Sequence, residues 1–478
     1  MESLNAGTQK AILRELARLG GELTTEDDLT FRGTEFVIPE SLTVTDAIDY
    51  LRAYQRSMEE ETQFSKTFRY RPWDGAYALQ NALKRVFGSS GIGQATYSMF
   101  GKNPPSMVTI NVGVDETVQV PWGAVQMPLI DGTLYLGVAH NPEYGALFSL
   151  TVEAPKRYRS HVEGLFRVIE DELRTSSIYR GKAIDGQENA EFLDLSGVDR
   201  SKVVYSDEVM AQLDANVWSL IEHSQTMRDM SLPLKRSVLL EGPYGTGKTL
   251  AAFLTAQIAV EHGWTFIYCR PGKDDLGAVL STARLYQPAV VFFEDVDSIS
   301  ASGDADDVTK LLDMFDGITA KGTEIMAVMT TNHVERIHKG MVRPGRLDAV
   351  LHIGALDRNG IERLIKSVVD PTVLGDIDYD LVAEAMDGYL PAYVKEAVDR
   401  AVRYAIARTG GHVEKLGTED FVLAADGLRD QLRLQADAEE GSRPDALSTA
   451  LAKIVEDTLP EFRVDLIDGT GALTKIKD

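Results

Sequence analysis

A glycine-rich turn lies near the middle of the chain, in the stretch "LLEGPYGTGKTLAAFL" from Leu239 to Leu254. Its core, "GPYGTGKT", fits the pattern G-x-x-x-x-G-K-[ST], with a short apolar run before it and a helical pattern of small and apolar residues after it. Glycines let backbone N–H groups wrap around phosphate oxygens, and the N-terminus of the following helix adds a favourable dipole. The pattern therefore predicts a binding site for the phosphates of a nucleotide.

Two residues at the end of this turn could act directly on the phosphates. Lys248 is expected to reach the β- and γ-phosphate oxygens, and the Thr249 hydroxyl is expected to join the ligands of Mg²⁺. ATP and Mg²⁺ are therefore the predicted cofactors. The predicted nucleotide-binding residues are Gly242, Pro243, Tyr244, Gly245, Thr246, Gly247, Lys248, Thr249 and Leu250.

A second apolar run, "AVVFFEDVDSIS", ends in the carboxylates Glu294, Asp295 and Asp297. A run this apolar is typical of a buried strand, which would direct its polar tip towards the nucleotide. Carboxylates at that tip can hold a metal ion and a water molecule. The run therefore supplies the second part of a phosphate-transfer site.

A third run, "AVMTTNHVERIHKGMVRPGRLD", ends a strand near Asn332 and then carries Arg343 and Arg346. A polar residue at the tip of a neighbouring strand can orient the attacking water. Two arginines after a turn can neutralise charge on a transferring phosphoryl group, either in their own subunit or in its neighbour. The predicted catalytic residues are Asp295, Glu294, Asn332, Arg343 and Arg346.

The ordered set "GPYGTGKT", "VVFFEDVDSI", "MTTN" and "VRPGRLD" resembles the AAA clade of the AAA+ ATPases, over roughly residues 205 to 430. The resemblance implies an α/β nucleotide-binding domain with a small helical lid, to which "MDGYLPAYVKEAVDRA" would contribute a helix. It also implies assembly into a homo-oligomeric ring, as a hexamer or alternatively a heptamer, with hydrolysis between subunits. Asn332 would then be the sensor, and Arg343 and Arg346 the fingers that act on the neighbouring subunit.

Two features depart from the family pattern. Glu294 precedes Asp295, whereas the usual order is Asp then Glu, so we assign Glu294 to the metal and Asp295 to the attacking water. The segment "PGKDDLG" contains no aromatic residue, although the family places an aromatic pore loop there that grips unfolded chains. In both features the core is similar to the subgroup containing the mitochondrial translocase of the Rieske iron–sulfur protein. That subgroup's membrane anchor and N-terminal region have no counterpart here.

The elements around these motifs predict an α/β protein: a parallel sheet covered by helices with a helical lid, preceded by an α+β domain. The predicted domains are an N-terminal cargo or adaptor domain (1–175), a linker (176–202), the large ATPase subdomain (203–356), the helical lid (357–434) and a C-terminal segment (435–478). The last segment combines an acidic linker, a helix and a hairpin.

Composition restricts the partners and the compartment. The net charge of −24 argues against a sequence-independent grip on nucleic acid, which needs a basic surface. Cys269 is the single cysteine, so no internal disulfide can form and a reducing compartment is favoured. No run reaches the ~18 apolar residues of a membrane span, and the start of the sequence lacks the pattern of a signal peptide. We therefore expect a cytoplasmic protein.

These observations lead to a main functional hypothesis and two alternatives. The main hypothesis is an AAA+ ATPase that uses Mg²⁺-ATP hydrolysis to remodel or translocate a protein partner, which the N-terminal domain recognises. The first alternative is a nucleotide-gated scaffold ring with weak hydrolysis, an idea motivated by the reversed carboxylates. The second is an ATPase acting on nucleic acid, which the acidic composition disfavours.

Overall fold

The computed structural model describes residues 43–88, 106–187, 190–297, 323–334, 347–411 and 415–429, the backbone of 430–441, and the short strands given below. The chain divides into two compact units. The first comprises Met1–Asp199, Ala211–Pro243 and Lys248–His352, and the second comprises Arg200–Met210, Tyr244–Gly247 and Ile353–Asp478. Within the described part of the chain, no helix is both long enough and apolar enough to pass through a lipid bilayer.

The N-terminal part has the predicted α+β architecture. Its elements are β1 (Phe31–Arg32), β2 (Glu35–Phe36), α1 (Val44–Glu59), β3 (Glu61–Phe68), α2 (Pro72–Phe87), β4 (Thr96–Ser98), β5 (Gly101–Asn103), β6 (Ser106–Gly113), β7 (Glu116–Trp122), β8 (Ala124–Gln126), β9 (Thr133–Asn141), β10 (Gly145–Pro155) and α3 (Arg159–Thr175). Helices α2 and α3 pack on an antiparallel sheet of order β3-β10-β9-β8. Gly75 allows α2 to approach this sheet closely, because a Cβ atom there would lie 2.0 Å from the Phe148 ring.

A parallel sheet forms the centre of the first unit. In chain order, the elements from β11 to β16 are β11 (Ala183–Asp185), α4 (Asp207–Leu213), a π-helical turn (Asp214–Trp218), α5 (Ser219–Glu222), α6 (Ser224–Asp229), β12 (Arg236–Glu241), α7 (Lys248–Glu261), β13 (Thr265–Cys269), α8 (Leu276–Leu285), β14 (Ala289–Phe293), β15 (Ile325–Thr331) and β16 (Ala349–His352). The first part of α4, up to Met210, belongs to the second unit. Six strands form the sheet, in the order β11-β13-β14-β15-β12-β16. Every residue of β14 and β15 is buried, as expected for strands covered on both faces. The predicted α/β fold class is confirmed.

The edge strand β11 lies inside the segment 176–202 that the sequence predicts to be a linker. It pairs in parallel with β13, so that Ala183 is opposite Phe266 and Asp185 is opposite Tyr268. All three residues of β11 are buried. Part of the predicted linker therefore belongs to the sheet.

Arg71, the residue before α2, connects the N-terminal part to α8 within the first unit. Its guanidinium donates to the carbonyl oxygen of Ala278 at 3.0 Å and to the hydroxyl of Thr282 at 2.6 Å. Its backbone N–H donates to the Tyr286 hydroxyl at 2.9 Å. Since α8 begins within the "PGKDDLG" segment, at Leu276, the helix next to that loop is fixed to the N-terminal part.

Asp74, in the first turn of α2, is fully buried at the same contact. It accepts hydrogen bonds from the hydroxyl of Ser177 at 2.7 Å, the backbone N–H of Ile178 at 2.9 Å and the hydroxyl of Tyr286 at 3.1 Å. Burial raises the pKa of Asp74 from 3.8 to about 6, although these three donors and the charge of Arg180 oppose the shift. The protonated carboxyl is therefore favoured by folding.

This shift predicts that Asp74 makes stability fall as the pH rises. The folded chain holds the proton up to about pH 6, whereas the unfolded chain releases it near pH 4, so the stabilisation is fully present below pH 4 and lost above pH 6. Between pH 5 and pH 7.5 we expect the free energy of unfolding to fall by about 1 kcal/mol, a loss that is absent in Asp74→Asn. Urea unfolding of both proteins across this range measures it, with Asp131→Asn at an exposed carboxylate as the control. If the free energy of unfolding changes equally with pH in wild type and Asp74→Asn, the raised pKa of Asp74 is contradicted.

The second unit is mainly helical. Its helices are α9 (Arg358–Val368), α10 (Tyr379–Ala385), α11 (Pro391–Thr409) and α12 (Thr418–Gly441), followed by a hairpin of β17 (Phe462–Ile467) and β18 (Thr470–Lys475). Apolar residues of α9 to α12 form a core of their own, with Phe421 and Leu428 fully buried. The hairpin matches the one predicted from "FRVDLIDGTGALTKIK".

Candidate active site

The glycine-rich turn connects the end of β12 at Glu241 to the start of α7 at Lys248. Two of its glycines have φ near +90°, with +84° at Gly245 and +92° at Gly247. Side chains rarely adopt this left-handed region, so the turn needs glycine at both positions. The strand–turn–helix context predicted for the motif is thus present.

Lys248 is buried inside the turn, with 7% of its surface exposed. Its ammonium group donates to the carbonyl oxygens of Gly242 at 2.7 Å and Pro243 at 2.8 Å. Burial lowers the pKa of Lys248, while the nearby carboxylates Asp295 and Asp297 act in the opposite direction. A cation held within a turn of backbone donors is suited to binding an anion such as a phosphate.

Glu294 follows β14 and reaches the first turn of α7. Its Oε1 accepts a hydrogen bond from the Thr249 hydroxyl at 2.8 Å, and its Oε2 accepts one from the Tyr268 hydroxyl. Both carboxylate oxygens are therefore held, one from the phosphate turn and one from β13. This contact brings the two predicted metal-side residues together.

Asp295 and Asn332 meet at the same edge of the sheet, as expected for residues that follow neighbouring parallel strands. The Asn332 amide donates to Asp295 Oδ1 at 2.8 Å, and the Asp295 backbone N–H donates to the Thr330 hydroxyl at 2.9 Å. Asp295 has a φ of +52°, in the left-handed region that residues other than glycine seldom occupy. Burial, followed by the charges of Glu294 and Asp297, raises the pKa of Asp295. A carboxylate with a raised pKa is better suited to accept a proton.

Asp297 supports the backbone around this pair. It is buried, and its Oδ1 accepts a hydrogen bond from the Thr331 hydroxyl at 2.8 Å. The Thr331 hydroxyl oxygen also accepts the backbone N–H of His333 at 3.0 Å. Asp297 thus fixes the backbone on which Asn332 lies.

Comparison with known proteins identifies this arrangement. Residues 238–355, from the strand before the turn to the segment after β16, match the ATPase family associated with various cellular activities (AAA). This chain contains an AAA+ ATPase domain. The prediction of an ATPase domain is therefore confirmed, while the narrower likeness to the Rieske-protein translocase subgroup stays a prediction.

Several curated proteins resemble the chain around this AAA+ domain. An ATP-dependent zinc metalloprotease FtsH of Cupriavidus metallidurans is 27% identical over 260 residues, covering 50% of this chain and 38% of that protein. The protein CdcH of Halobacterium salinarum is 26% identical over 276 residues, covering 54% and 36%. A cell division cycle protein 48 homologue of Archaeoglobus fulgidus is 27% identical over 221 residues, covering 42% and 30%. The chain thus spans less than two fifths of the length of these relatives.

The tip of the phosphate turn of the AAA+ domain, Tyr244–Gly247, belongs to the helical unit. The Ala392 backbone N–H at the start of α11 donates to the Gly245 carbonyl at 3.1 Å. The hydroxyl of Tyr205, which is almost fully buried, donates to the Gly247 carbonyl at 2.7 Å. α11 is the helix that the family resemblance assigns to the lid.

The side chains of the AAA+ domain fit Mg²⁺ at Thr249 and Glu294. Mg²⁺ prefers oxygen ligands and usually binds proteins through one or two side chains together with substrate phosphates and water. A hydroxyl and a carboxylate held 2.8 Å apart provide such oxygens beside the phosphate turn. When held there by Thr249 and Glu294, Mg²⁺ would supply positive charge to offset the negative charge that develops during transfer.

The AAA+ domain brings together Lys248, Thr249, Glu294, Asp295 and Asn332, and their catalytic roles remain predictions. Arg343 and Arg346 lie outside the described residues. Two residues at the site were not predicted from the sequence, Tyr268 and Tyr205. Tyr268 had one available signal, because it is a polar-tipped residue near the end of a strand that should neighbour "AVVFFED".

Proposed function

We propose that this protein hydrolyses ATP with Mg²⁺ and uses the energy to remodel or translocate a protein partner. The observation that carries the proposal is that Thr249 after the glycine-rich turn contacts Glu294, while Asn332 contacts the adjacent Asp295, at one edge of the sheet. The AAA family match over the same residues supports it. The relatives include an ATP-dependent protease, which agrees with a protein substrate.

The proposed mechanism assigns one task to each side chain. Lys248 leaves the carbonyl oxygens of the turn and donates to the β- and γ-phosphate oxygens. Asp295 accepts a proton from the attacking water, helped by its raised pKa, and Asn332 fixes the position of the carboxylate. Glu294 and Thr249 would hold Mg²⁺ beside the phosphates.

Sustained phosphate release tests this proposal against the scaffold alternative, which the Glu294–Asp295 order favours. Purified protein should release phosphate from Mg²⁺-ATP over many turnovers. A protein that assembles on ATP but releases no more than one phosphate per chain would instead support a scaffold. Salt-sensitive binding to single-stranded DNA or RNA would favour the nucleic-acid alternative.

We further propose that the protein forms a ring, a hexamer with a heptamer as the alternative, in which Arg343 and Arg346 act on the ATP of the neighbouring subunit. Arg343→Ala and Arg346→Ala should each lower hydrolysis about 10³-fold and leave ATP binding nearly unchanged, because a finger contacts developing charge. Mixing Arg346→Ala with Lys248→Ala protein should restore part of the activity, measured as phosphate release. If activity does not recover after the subunits of the two variants have fully exchanged, action between subunits is contradicted.

The N-terminal α+β part is the proposed site of cargo recognition, and a cytoplasmic location is part of the same proposal. Full-length Asp295→Asn protein held in ATP should capture its partner from cell extract, and ADP should release it. Binding that is equal in ATP and ADP would show that capture is not coupled to the nucleotide.

A further inference from the structure

Tyr268 lies near the end of β13 with its ring held on both sides. The ring stacks on Phe292 of β14, with centroids 6.0 Å apart and planes 6° from parallel. It also stacks on Phe253 of α7, with centroids 6.1 Å apart and an angle of 25°. These two contacts fix the direction in which the Tyr268 hydroxyl points.

The hydroxyl donates to Glu294 Oε2, while Glu294 Oε1 accepts from Thr249 at 2.8 Å. One carboxylate therefore joins β13 to the helix that follows the phosphate turn. If the Thr249 hydroxyl instead binds a metal ion, the Tyr268 hydroxyl can still hold this carboxylate.

The length of the Glu294 side chain explains why such a contact matters. Glutamate has one more rotatable bond than aspartate, and a half-buried carboxylate on a longer chain can sample more rotamers. Hydrogen bonds from neighbouring side chains orient the carboxylates that hold a metal ion, and losing one typically costs about 10–100-fold in metal affinity. An aspartate at position 294 would be shorter by one methylene.

We infer that Tyr268 is a positioning residue, which aims the Glu294 carboxylate at Mg²⁺ and thereby sets how strongly Mg²⁺ supports nucleotide binding. The inference rests on the proposed function, because it concerns the same nucleotide site. Tyr268 does not touch the nucleotide in this assignment and acts only through Glu294. Removing the Tyr268 hydroxyl should therefore raise the Mg²⁺ requirement and leave the nucleotide affinity measured without Mg²⁺ unchanged.

Equilibrium binding of a ribose-labelled fluorescent ADP tests the inference without measuring hydrolysis. The full-length wild type and Tyr268→Phe, which keeps the stacked ring, are titrated with Mg²⁺ and separately with ADP in EDTA. We expect the Mg²⁺ concentration for half-maximal enhancement to rise about 10-fold or more in Tyr268→Phe, with equal ADP affinity in EDTA. Tyr135→Phe, at an exposed tyrosine of β9, is the matched control.

A double-mutant cycle separates positioning from a general effect on folding. In a Glu294→Ala background, the Tyr268→Phe change should shift the Mg²⁺ midpoint by less than about twofold, since the contact is already lost. An unchanged midpoint in Tyr268→Phe, or an equal shift with and without Glu294, would overturn the inference. Wild-type protein that binds no ADP with or without Mg²⁺ would overturn the proposed function and this inference together. Wild-type protein that binds ADP, with an unchanged Mg²⁺ midpoint in Tyr268→Phe, would overturn this inference alone.

Discussion

Asp295→Asn protein should bind Mg²⁺-ATP with near wild-type affinity and hydrolyse it about 10²–10⁴-fold more slowly. The amide cannot accept the proton of the attacking water, while its size and shape match those of the carboxylate. The backbone should not change, because asparagine is among the residues that best tolerate a positive φ such as the +52° at this position. Single-turnover hydrolysis and the stoichiometry of bound ATP measure the two effects separately.

Glu294→Gln is the matched comparison for this prediction, since it makes the same chemical change at the adjacent residue. The amide oxygen of the introduced glutamine could still accept the Thr249 or Tyr268 hydroxyl. We expect a higher Mg²⁺ requirement and a smaller loss of hydrolysis than in Asp295→Asn. If Glu294→Gln traps ATP and Asp295→Asn turns over normally, the two roles are the reverse of those assigned here.

Lys248→Ala should abolish tight nucleotide binding. The ammonium group makes two charged hydrogen bonds to the turn and would make equivalent bonds to phosphate oxygens. Each such bond is worth about 1.5–3 kcal/mol, so losing two should lower ATP affinity ~100-fold or more. Titration calorimetry with ATP and Mg²⁺ measures the change.

Lys273→Ala provides the control, because it removes an equal charge from an exposed position before α8. Its ATP affinity should equal that of the wild type. Lys248→Ala protein that binds and turns over ATP like the control would show that the glycine-rich turn does not hold the phosphates. Thermal unfolding of both variants should confirm that the effect is not a loss of fold.

Much of the site could be predicted from the sequence because its parts are local or follow from strand order. The phosphate turn is contiguous, and its glycines and lysine carry the pattern by themselves. Glu294, Asp295 and Asn332 each follow an apolar strand, and in a parallel sheet the ends of neighbouring strands lie on one edge. The α/β class follows from the same alternation of apolar strands and helices.

The remaining contacts depend on tertiary packing that no short pattern encodes. Asp74 and Tyr286 are 212 positions apart, and their hydrogen bond exists only because α2 packs against the end of α8. Tyr268 looks like one more residue of an apolar strand until the ring stacking directs its hydroxyl towards Glu294. β11 is only three residues long, too short for its alternation to be recognised in the sequence.

The three-residue strand β11 has a consequence for how this protein can be dissected. It shields the outer side of β13, whose backbone donors and acceptors face it along Phe266 to Tyr268. A fragment cut to begin after residue 200, as the domain boundaries from sequence would suggest, exposes that row of amides and carbonyls. An exposed edge strand can pair with strands of other chains, so we expect such a fragment to aggregate. An ATPase fragment for experiments should therefore begin upstream of Ala183.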